Sequence, residues 1–131
     1  MAAHWTDAYV GRPYVPGVTD CAELAAAVQR EVFGRPVEIP AERPDSPESG
    51  AAIIARLQHD HAQPIAAPIE GCAVLMRRGA IARPWHIGTY FERGGEGYIL
   101  HSTRAAGAAT VVRLRDLARH GYQVEGFYAW K

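Results

Sequence analysis

One stretch in the second half of the chain, HIGTYFERGGEGYILHS, restricts the fold more than any other. The segment WHIGTYFE (residues 85–92) alternates as a strand does, and His86, Gly88 and Tyr90 share one of its two faces. RGGEG supplies a turn, after which YILHS (residues 98–102) returns. The stretch therefore predicts a β-hairpin.

The clearest helix lies in the first third of the chain. Asp20 is typical of an N-cap, and Glu23 three residues later fits a capping box. Across residues 21–33, apolar side chains recur four apart, as on an amphipathic helix that rests on a core. Gly34 suits the position just past the helix, and the proline at 36 prevents it from resuming.

The remaining segments place helices first and strands afterwards. A second helix is predicted to open at Ser46-Pro47, followed by an extended link over residues 64–68 and a buried strand, CAVLM, over residues 72–76. After the hairpin come a strand, TVVRL, a short helix ended by Gly121 and a last strand, YQVEGFYAW. This order predicts one α+β domain over residues 1–131, with N-terminal helices packed on a mostly antiparallel sheet.

Charge and composition exclude several classes of protein. Lys+Arg and Asp+Glu both number 14, so the net charge is zero and no basic patch indicates a nucleic-acid partner. No apolar run approaches the roughly 18 residues of a membrane helix, so we expect no membrane insertion. The opening MAAHWTDAYV lacks the pattern of a signal peptide. Two cysteines are too few for a disulfide framework, which leaves packing or catalysis as their uses.

Cys21 stands at the predicted start of the first helix. The unpaired backbone N–H groups and the helix dipole favour negative charge there, so the thiol is biased toward the nucleophilic thiolate. The alternative is that Cys21 is a small buried residue of the core, as free cysteines often are. Cys72 opens a buried strand without such a dipole, and we expect it to be an inert core residue.

Two of the six histidines lie in the predicted hairpin, His86 on its first strand and His101 on its second. Their rings are therefore expected to be near neighbours. Gly88, two residues after His86, is expected to leave open space beside the imidazole for something to enter. One histidine in a sheet is more often structural, but two on facing strands with Cys21 upstream match the logic of a nucleophile, a base and an orienting group.

The other histidines have simpler interpretations. His59, Asp60 and His61 could suggest a metal site, but a solvated helix end is favoured because no third ligand is apparent. We therefore predict no metal. His120 suits a helix C-terminus, where a cation is favoured, and His4 is expected in a mobile terminal segment.

The pieces GRPYVPGVTDCAEL, HIGTYF and ILHS, in this order, resemble the NlpC-type cysteine peptidases of bacterial cell walls, a papain-like group. The terminal VEGFYAW resembles the closing strand of a small branch encoded among phage and prophage tail genes. The resemblance spans nearly the whole chain and implies a papain-like fold. The block PY…DC followed by HIG.Y is fairly specific, whereas LHS alone is a weak match.

The resemblance implies a role for each matching residue. Cys21 would be the nucleophile, His86 the general base and then acid, and His101 the group that holds the second ring nitrogen of His86. Tyr14 and the backbone N–H of Cys21 would stabilise the oxyanion. Asp20 and Gly88 complete the predicted substrate site. For Tyr14, an aromatic plug on the loop is an equally good interpretation.

Two positions depart from the family pattern. Glu23 stands where the family usually has glycine, and it could bring a carboxylate near the thiol, which would oppose ionisation and affect substrate fit. Cys72 stands where the family often has an acidic residue, and we expect that difference to affect a turn and not the chemistry.

The implied activity is cleavage of peptidoglycan stem peptides, between D-glutamate and the diamino acid, without a cofactor. The protein would be a virion component, present in the host cytoplasm before assembly, that opens the cell wall during DNA delivery, and other tail-tip proteins would be its partners. One alternative is a structural tail-tip or tail-assembly protein with little or no activity. Another is a secreted antibacterial amidase toxin, and a lipid acyltransferase is more distant.

Overall fold

The structure is a computed structural model that describes residues 4–15, 20–38, 55, 59–78 and 86–131. It describes one α-helix in full, α1 (Cys21–Glu31), further helical residues at 55 and 59–61, and two 3₁₀-helices, Trp5–Ala8 and Leu114–His120. The strands are β1 (Ala62–Ile65), β2 (Ala73–Arg78), β3 (His86–Arg93), β4 (Glu96–Thr103), β5 (Ala108–Arg113) and β6 (Tyr122–Trp130). They form a single six-stranded sheet in the order β1-β6-β2-β3-β4-β5.

Every neighbouring pair in this sheet is antiparallel. The predicted α+β class and mostly antiparallel sheet are therefore confirmed. The second predicted helix, opened by Ser46-Pro47, lies mainly outside the described residues. Within the described part of the chain, no helix is long and apolar enough to cross a membrane.

The predicted hairpin is confirmed as β3 and β4. The strands pair down to Arg93 opposite Glu96, so the turn consists of two glycines, Gly94 and Gly95. Their φ angles of 61° and 80° are both positive. A two-residue turn with positive φ at both positions matches the right-handed twist of the strands that it joins, and glycine adopts it without steric cost.

Helix α1 begins where the sequence predicts. The Asp20 side chain accepts a hydrogen bond from the backbone N–H of Glu23 at 3.0 Å, which confirms the N-cap. The second half of a capping box is not formed, because the Glu23 carboxylate accepts from Arg30 at 2.6 Å instead. The helix ends at Glu31, two residues before its predicted end.

Helix α1 covers one side of the sheet and runs alongside β3. Ala25 and Ala26 lie in a buried cluster with Ile87, the second residue of β3. Val28, further along the helix, lies in another buried cluster with Phe91, further along the strand. Cys21, as the first residue of α1, therefore stands near the end of the sheet at which β3 begins.

The opposite side of the sheet carries its own buried cluster. Met76, Tyr90, Ile99 and Tyr122 belong to it, together with Leu117 from the second 3₁₀-helix. Because side chains alternate along a strand, His86 and Gly88 share this side with Tyr90, as the sequence predicts. The 3₁₀-helix ends at Gly121, whose φ of 85° is left-handed, also as predicted.

The two edges of the sheet contain elements that the sequence did not predict. Strand β1 pairs with β6 and includes Pro64, which the sequence placed at the start of an extended link. At the other edge, Pro13 forms an isolated bridge with Ala108 of β5. The backbone N–H of Tyr14 donates to the carbonyl of Gly107 at 2.9 Å, which fixes this segment beside the start of β5.

Candidate active site

The centre of the candidate site is a pair of buried histidines. The Nε2 atom of His86 lies 2.7 Å from the Nδ1 atom of His101, and each residue is 3% exposed. The ring centroids are 5.0 Å apart. The register that pairs Thr89 with Leu100 produces this approach, since the two histidines project from the same side of neighbouring strands. The prediction that the rings are near neighbours is confirmed.

The environment keeps both imidazoles neutral. Burial, and then the charges of His101 and Arg78, hold the pKa of His86 well below its ordinary value of 6.5. Burial, and then the charge of His120, lower the pKa of His101. A hydrogen bond between two neutral imidazoles needs one ring nitrogen with a proton and one without. When His86 donates from Nε2, its Nδ1 atom carries a lone pair and can act as a base.

Tyr122 holds the ring of His86 in place. The two rings stack with centroids 4.9 Å apart and an interplanar angle of 25°. The same tyrosine meets the ring of His101 edge-on at 5.6 Å. Tyr122 is buried and opens β6, which pairs with β2 and so brings it beside Arg78. The sequence analysis did not identify this residue, because the contact depends on pairing between distant strands.

Cys21 is half-buried and packs against the cluster on the α1 side of the sheet. A thiolate at Cys21 contributes to raising the pKa values of both Tyr14 and Tyr122, after burial in each case. Tyr122 is therefore in electrostatic reach of the thiol and in direct contact with both histidines. Cys21 lies on the α1 side of the sheet, near the end at which β3 begins, and both histidines project from the opposite side.

Tyr14 and Asp20 lie beside the same thiol. Burial, then the charges of Cys21 and Asp20, raise the pKa of Tyr14, so its hydroxyl keeps its proton at neutral pH and can donate a hydrogen bond. Asp20 is buried, and its carboxylate accepts from the first turn of α1. That bond fixes the helix start and with it the position of the Cys21 backbone.

The expectation of open space at Gly88 was wrong. A Cβ atom built there would lie 2.5 Å from Cγ2 of Ile99, 3.1 Å from Cε of Met76 and 3.2 Å from the carbonyl oxygen of Leu100. Neighbouring strands already fill the volume. Glycine is required at this position for close packing between β3, β2 and β4, and the position gives no path to the imidazole.

The Glu23 carboxylate is not directed at the Cys21 thiol. Its carboxylate is bound to Arg30, which also donates to the carbonyl oxygen of Val37 at 2.8 Å. The negative charge of Glu23 therefore points along α1 toward its C-terminal end, where the guanidinium group of Arg30 balances it. Cys72 is 2% exposed, and burial raises the pKa of its thiol, which agrees with the prediction of an inert core residue.

The outlying histidines have structural roles. His59 and Asp60 are exposed at a helix end, as predicted, and their side chains form a hydrogen bond of 2.9 Å. His120 is the last residue of the second 3₁₀-helix, also as predicted. The expectation for His4 was wrong, because it caps the first 3₁₀-helix and its ring lies 4.9 Å from that of Phe91.

Two arginines complete the surroundings and were missed in the sequence. The guanidinium carbon of Arg78 lies 5.3 Å from the centroid of the Tyr122 ring, and that of Arg104 lies 5.7 Å from the Tyr14 ring. Both arginines are exposed. Arg78 ends the strand that follows Cys72, and Arg104 follows the LHS piece. This nearness to the motifs is the signal by which the sequence could have identified the two arginines.

The described residues contain no group of three or more His, Cys, Asp or Glu side chains that could hold a metal ion. Comparison of the chain with family models, with curated proteins and with solved structures gave no significant match. The resemblance to NlpC-type peptidases rests on the sequence pieces quoted above.

Proposed function

We propose that the protein is a cysteine peptidase of the NlpC type, which hydrolyses an amide bond in peptidoglycan stem peptides. The observation that carries the proposal is the buried 2.7 Å hydrogen bond between His86 and His101, at the end of the sheet where the helix-start Cys21 stands. Nucleophile, base and orienting group are the minimum set for covalent hydrolysis of an amide.

The first step is acylation of the thiol. The Sγ atom of Cys21 attacks the amide carbonyl while Nδ1 of His86 accepts the thiol proton. The bond from Nε2 of His86 to His101 holds the imidazole in the required tautomer and stabilises the imidazolium that forms. Since the pKa of His86 is lowered in the resting protein, its base form is available at neutral pH.

The oxyanion would be held by two donors. One is the backbone N–H of Cys21, oriented by the helix start that Asp20 caps, and the other is the Tyr14 hydroxyl. His86 then returns its proton to the nitrogen of the leaving amine as the C–N bond breaks. A water molecule, deprotonated by His86, attacks the thioester, releases the carboxylic acid and restores the thiol.

We further propose the setting that the resemblance implies. The scissile bond is that between D-glutamate and the diamino acid of the stem peptide. The protein is carried in a phage or prophage tail and opens the cell wall locally during DNA delivery. The support for this setting is the likeness of the terminal VEGFYAW to the closing strand of the tail-associated branch.

Digestion of purified sacculi and of isolated stem peptides, followed by mass spectrometry, tests the proposal. The native protein should yield new fragments whose masses identify the bond. Cys21→Ala should yield none, and Cys72→Ala, the matched control, should cleave like the native protein.

If no cleavage is observed, a thiol-directed probe at neutral pH distinguishes the possible reasons. If nothing is cut and Cys21 also resists the probe, the activated-cysteine mechanism is wrong and the structural tail-protein alternative replaces it. A secreted toxin would share the chemistry, and a neighbouring immunity gene in place of tail genes would identify that case.

A further inference from the structure

A cavity of about 150 Å³ lies between α1 and the strands β4 and β5, on the α1 side of the sheet. Its floor consists of Ser102 of β4 and Ala109 of β5, which pair with each other and are each 1% exposed. Leu24 and Ala27 of α1, both buried, form the facing wall. The three residues proposed for catalysis do not line this cavity, so it is a separate feature of the described structure.

The Ser102 hydroxyl is a buried polar group without a partner. Its Oγ atom has no hydrogen bond to any part of the chain that the structure describes. Ser102 follows His101 along β4, and successive side chains of a strand point to opposite sides, so Ser102 projects toward α1 and the cavity. Buried hydroxyl groups are nearly always hydrogen-bonded, so this one favours a ligand that supplies the missing bond.

The charged side chains at the mouth of the cavity balance one another. The Nη2 atom of Arg30 lies 2.6 Å from Oε1 of Glu23, and that of Arg12 lies 4.0 Å from Oε1 of Glu31. Two cations and two anions give the lining a formal charge of zero, which favours neither anions nor cations. Because the walls below the mouth are apolar, burying an ion against them would be costly. The favoured ligand is therefore uncharged.

The volume of the cavity and the position of Arg12 favour an aromatic ring. A cavity of about 150 Å³ accommodates one benzene-sized group. The guanidinium carbon of Arg12 lies 4.3 Å from the centroid of the Tyr9 ring, so this group already contacts one aromatic face. A planar guanidinium is attracted to aromatic rings, and a ring bound in the cavity that Arg12 lines would gain a contact of the same kind.

We propose that this cavity binds a phenol, that is, an uncharged aromatic ring with one hydroxyl group that forms a hydrogen bond with Ser102. The ring packs against Leu24, Ala27 and Ala109, and its hydroxyl lies at the Ser102 end. The inference goes beyond the proposed peptidase, because binding requires no reaction at Cys21. Small free phenols and the tyrosine side chain of another protein share this chemistry.

p-Cresol and toluene are a matched pair of probes, because they differ only in the hydroxyl group. Titration of the nitrogen-15-labelled native protein, followed by NMR, gives both dissociation constants. The amide signals that respond should include those of the buried lining residues Leu24, Ala27, Ser102 and Ala109. The native protein should bind p-cresol about fivefold more tightly than toluene, since that is the worth of a neutral hydrogen bond to a buried partner.

Three variants test where this preference originates. Ser102→Ala should remove the preference while toluene still binds. Ala27→Leu fills the cavity and should abolish the binding of both probes. Thr110→Val is the matched control, because it also removes one hydroxyl, but Thr110 pairs with His101 and so projects from the opposite side of the sheet. It should keep the preference. Thermal unfolding verifies that each variant is folded.

Two results in the native protein or in Ser102→Ala would overturn the proposal. One is equal binding of p-cresol and toluene to the native protein, and the other is a preference that persists in Ser102→Ala. If neither probe binds the native protein, the cavity holds only water, which would also overturn it. Cys21→Ala should bind p-cresol like the native protein, so a failure of the proposed peptidase would leave the site standing.

N-acetyltyrosinamide distinguishes the two sources of the ligand. It carries the phenol ring of p-cresol on a blocked amino acid, so it binds only if the mouth of the cavity admits a peptide backbone. Binding that depends on Ser102 would support a tyrosine side chain from another protein. Binding of p-cresol alone, with the same dependence, would support a small free phenol.

Discussion

The Nε2 atom of His86 and the Nδ1 atom of His101 meet at 2.7 Å in the interior of the protein, on the side of the sheet away from α1. The bond commits Nε2 of His86 to its partner, so Nδ1 is the ring nitrogen that would act in the proposed reaction. A histidine pair buried in this way costs stability whenever it is protonated, because burial disfavours the charged form. A pair that costs stability in this way is not expected at positions whose side chains only pack in the core.

Replacing His101 tests its role in positioning His86. His101→Asn places an amide oxygen near the position of Nδ1 and should keep most of the activity, whereas His101→Leu should lower kcat by about tenfold or more with little change in KM. Because the charge of His101 contributes to lowering the pKa of His86, the acidic limb of the pH–rate profile should also move to higher pH in His101→Asn. Equal rates for the native and Leu proteins would contradict this role.

Replacing Tyr122 tests whether the stacked ring holds the base. Tyr122→Phe keeps the stack on His86 and loses only the hydrogen bond that Arg78 makes to the hydroxyl, so alkylation of Cys21 should slow by less than about threefold. Tyr122→Leu removes the aromatic contact, worth about 1 kcal/mol, and should slow it by about fivefold or more. If the Tyr122 ring only filled space in the core, Cys21 would be alkylated at the same rate in the two variants.

Stability should decrease in mild acid because of the buried imidazoles. The folded pKa values of His86 and His101 lie below the unfolded value, so their contribution to stability is complete above about pH 6.5 and is lost as the pH falls. At pH 5 the loss should reach about 2 kcal/mol for each histidine. Urea unfolding at pH 7.5 and 5.0 measures it.

The variant His101→Asn should lose about half as much stability over the same pH interval. His59→Asn is the control, since the side chain of His59 is 89% exposed and lies outside the buried pair. A native protein as stable at pH 5.0 as at 7.5 would show that the imidazoles are not buried as described.

Gly88→Ala should destabilise the fold by about 1–3 kcal/mol through overpacking. The closest atom to the new methyl group would be Cγ2 of Ile99, which Ile99→Leu removes, so the penalty should be smaller in that background. Gly126→Ala is a milder control, because its nearest contact would be 3.3 Å from the ring of Tyr128. Thermal unfolding of the native protein, the three single variants and the Gly88→Ala/Ile99→Leu double variant gives the comparison.

The elements predicted correctly from the sequence are those that local signals determine. The Asp20 cap needs only residues up to Glu23, and the hairpin needs only alternation and the two turn glycines. These signals place a cysteine at a helix start and two histidines on facing strands. They are sufficient for the outline of the site.

The errors and omissions concern contacts between distant segments. The volume at Gly88 depends on Met76 and Ile99, which come from neighbouring strands. Tyr122 reaches His86 because β2 pairs with both β3 and β6, and no local pattern predicts those partners. Strand β1 was missed because Pro64 argues against a strand, although an edge position tolerates proline.

Both described edges of the sheet are partly closed to another chain. At one edge, residues 11–14 pair with the first two residues of β5, Ala108 and Ala109, and at the other edge β1 is four residues long and includes a proline. Open strand edges are templates on which proteins aggregate or exchange strands, and short or covered edges prevent this. A protein packed at high local concentration with copies of itself and with other chains could therefore remain a separate folded unit and associate through its side chains.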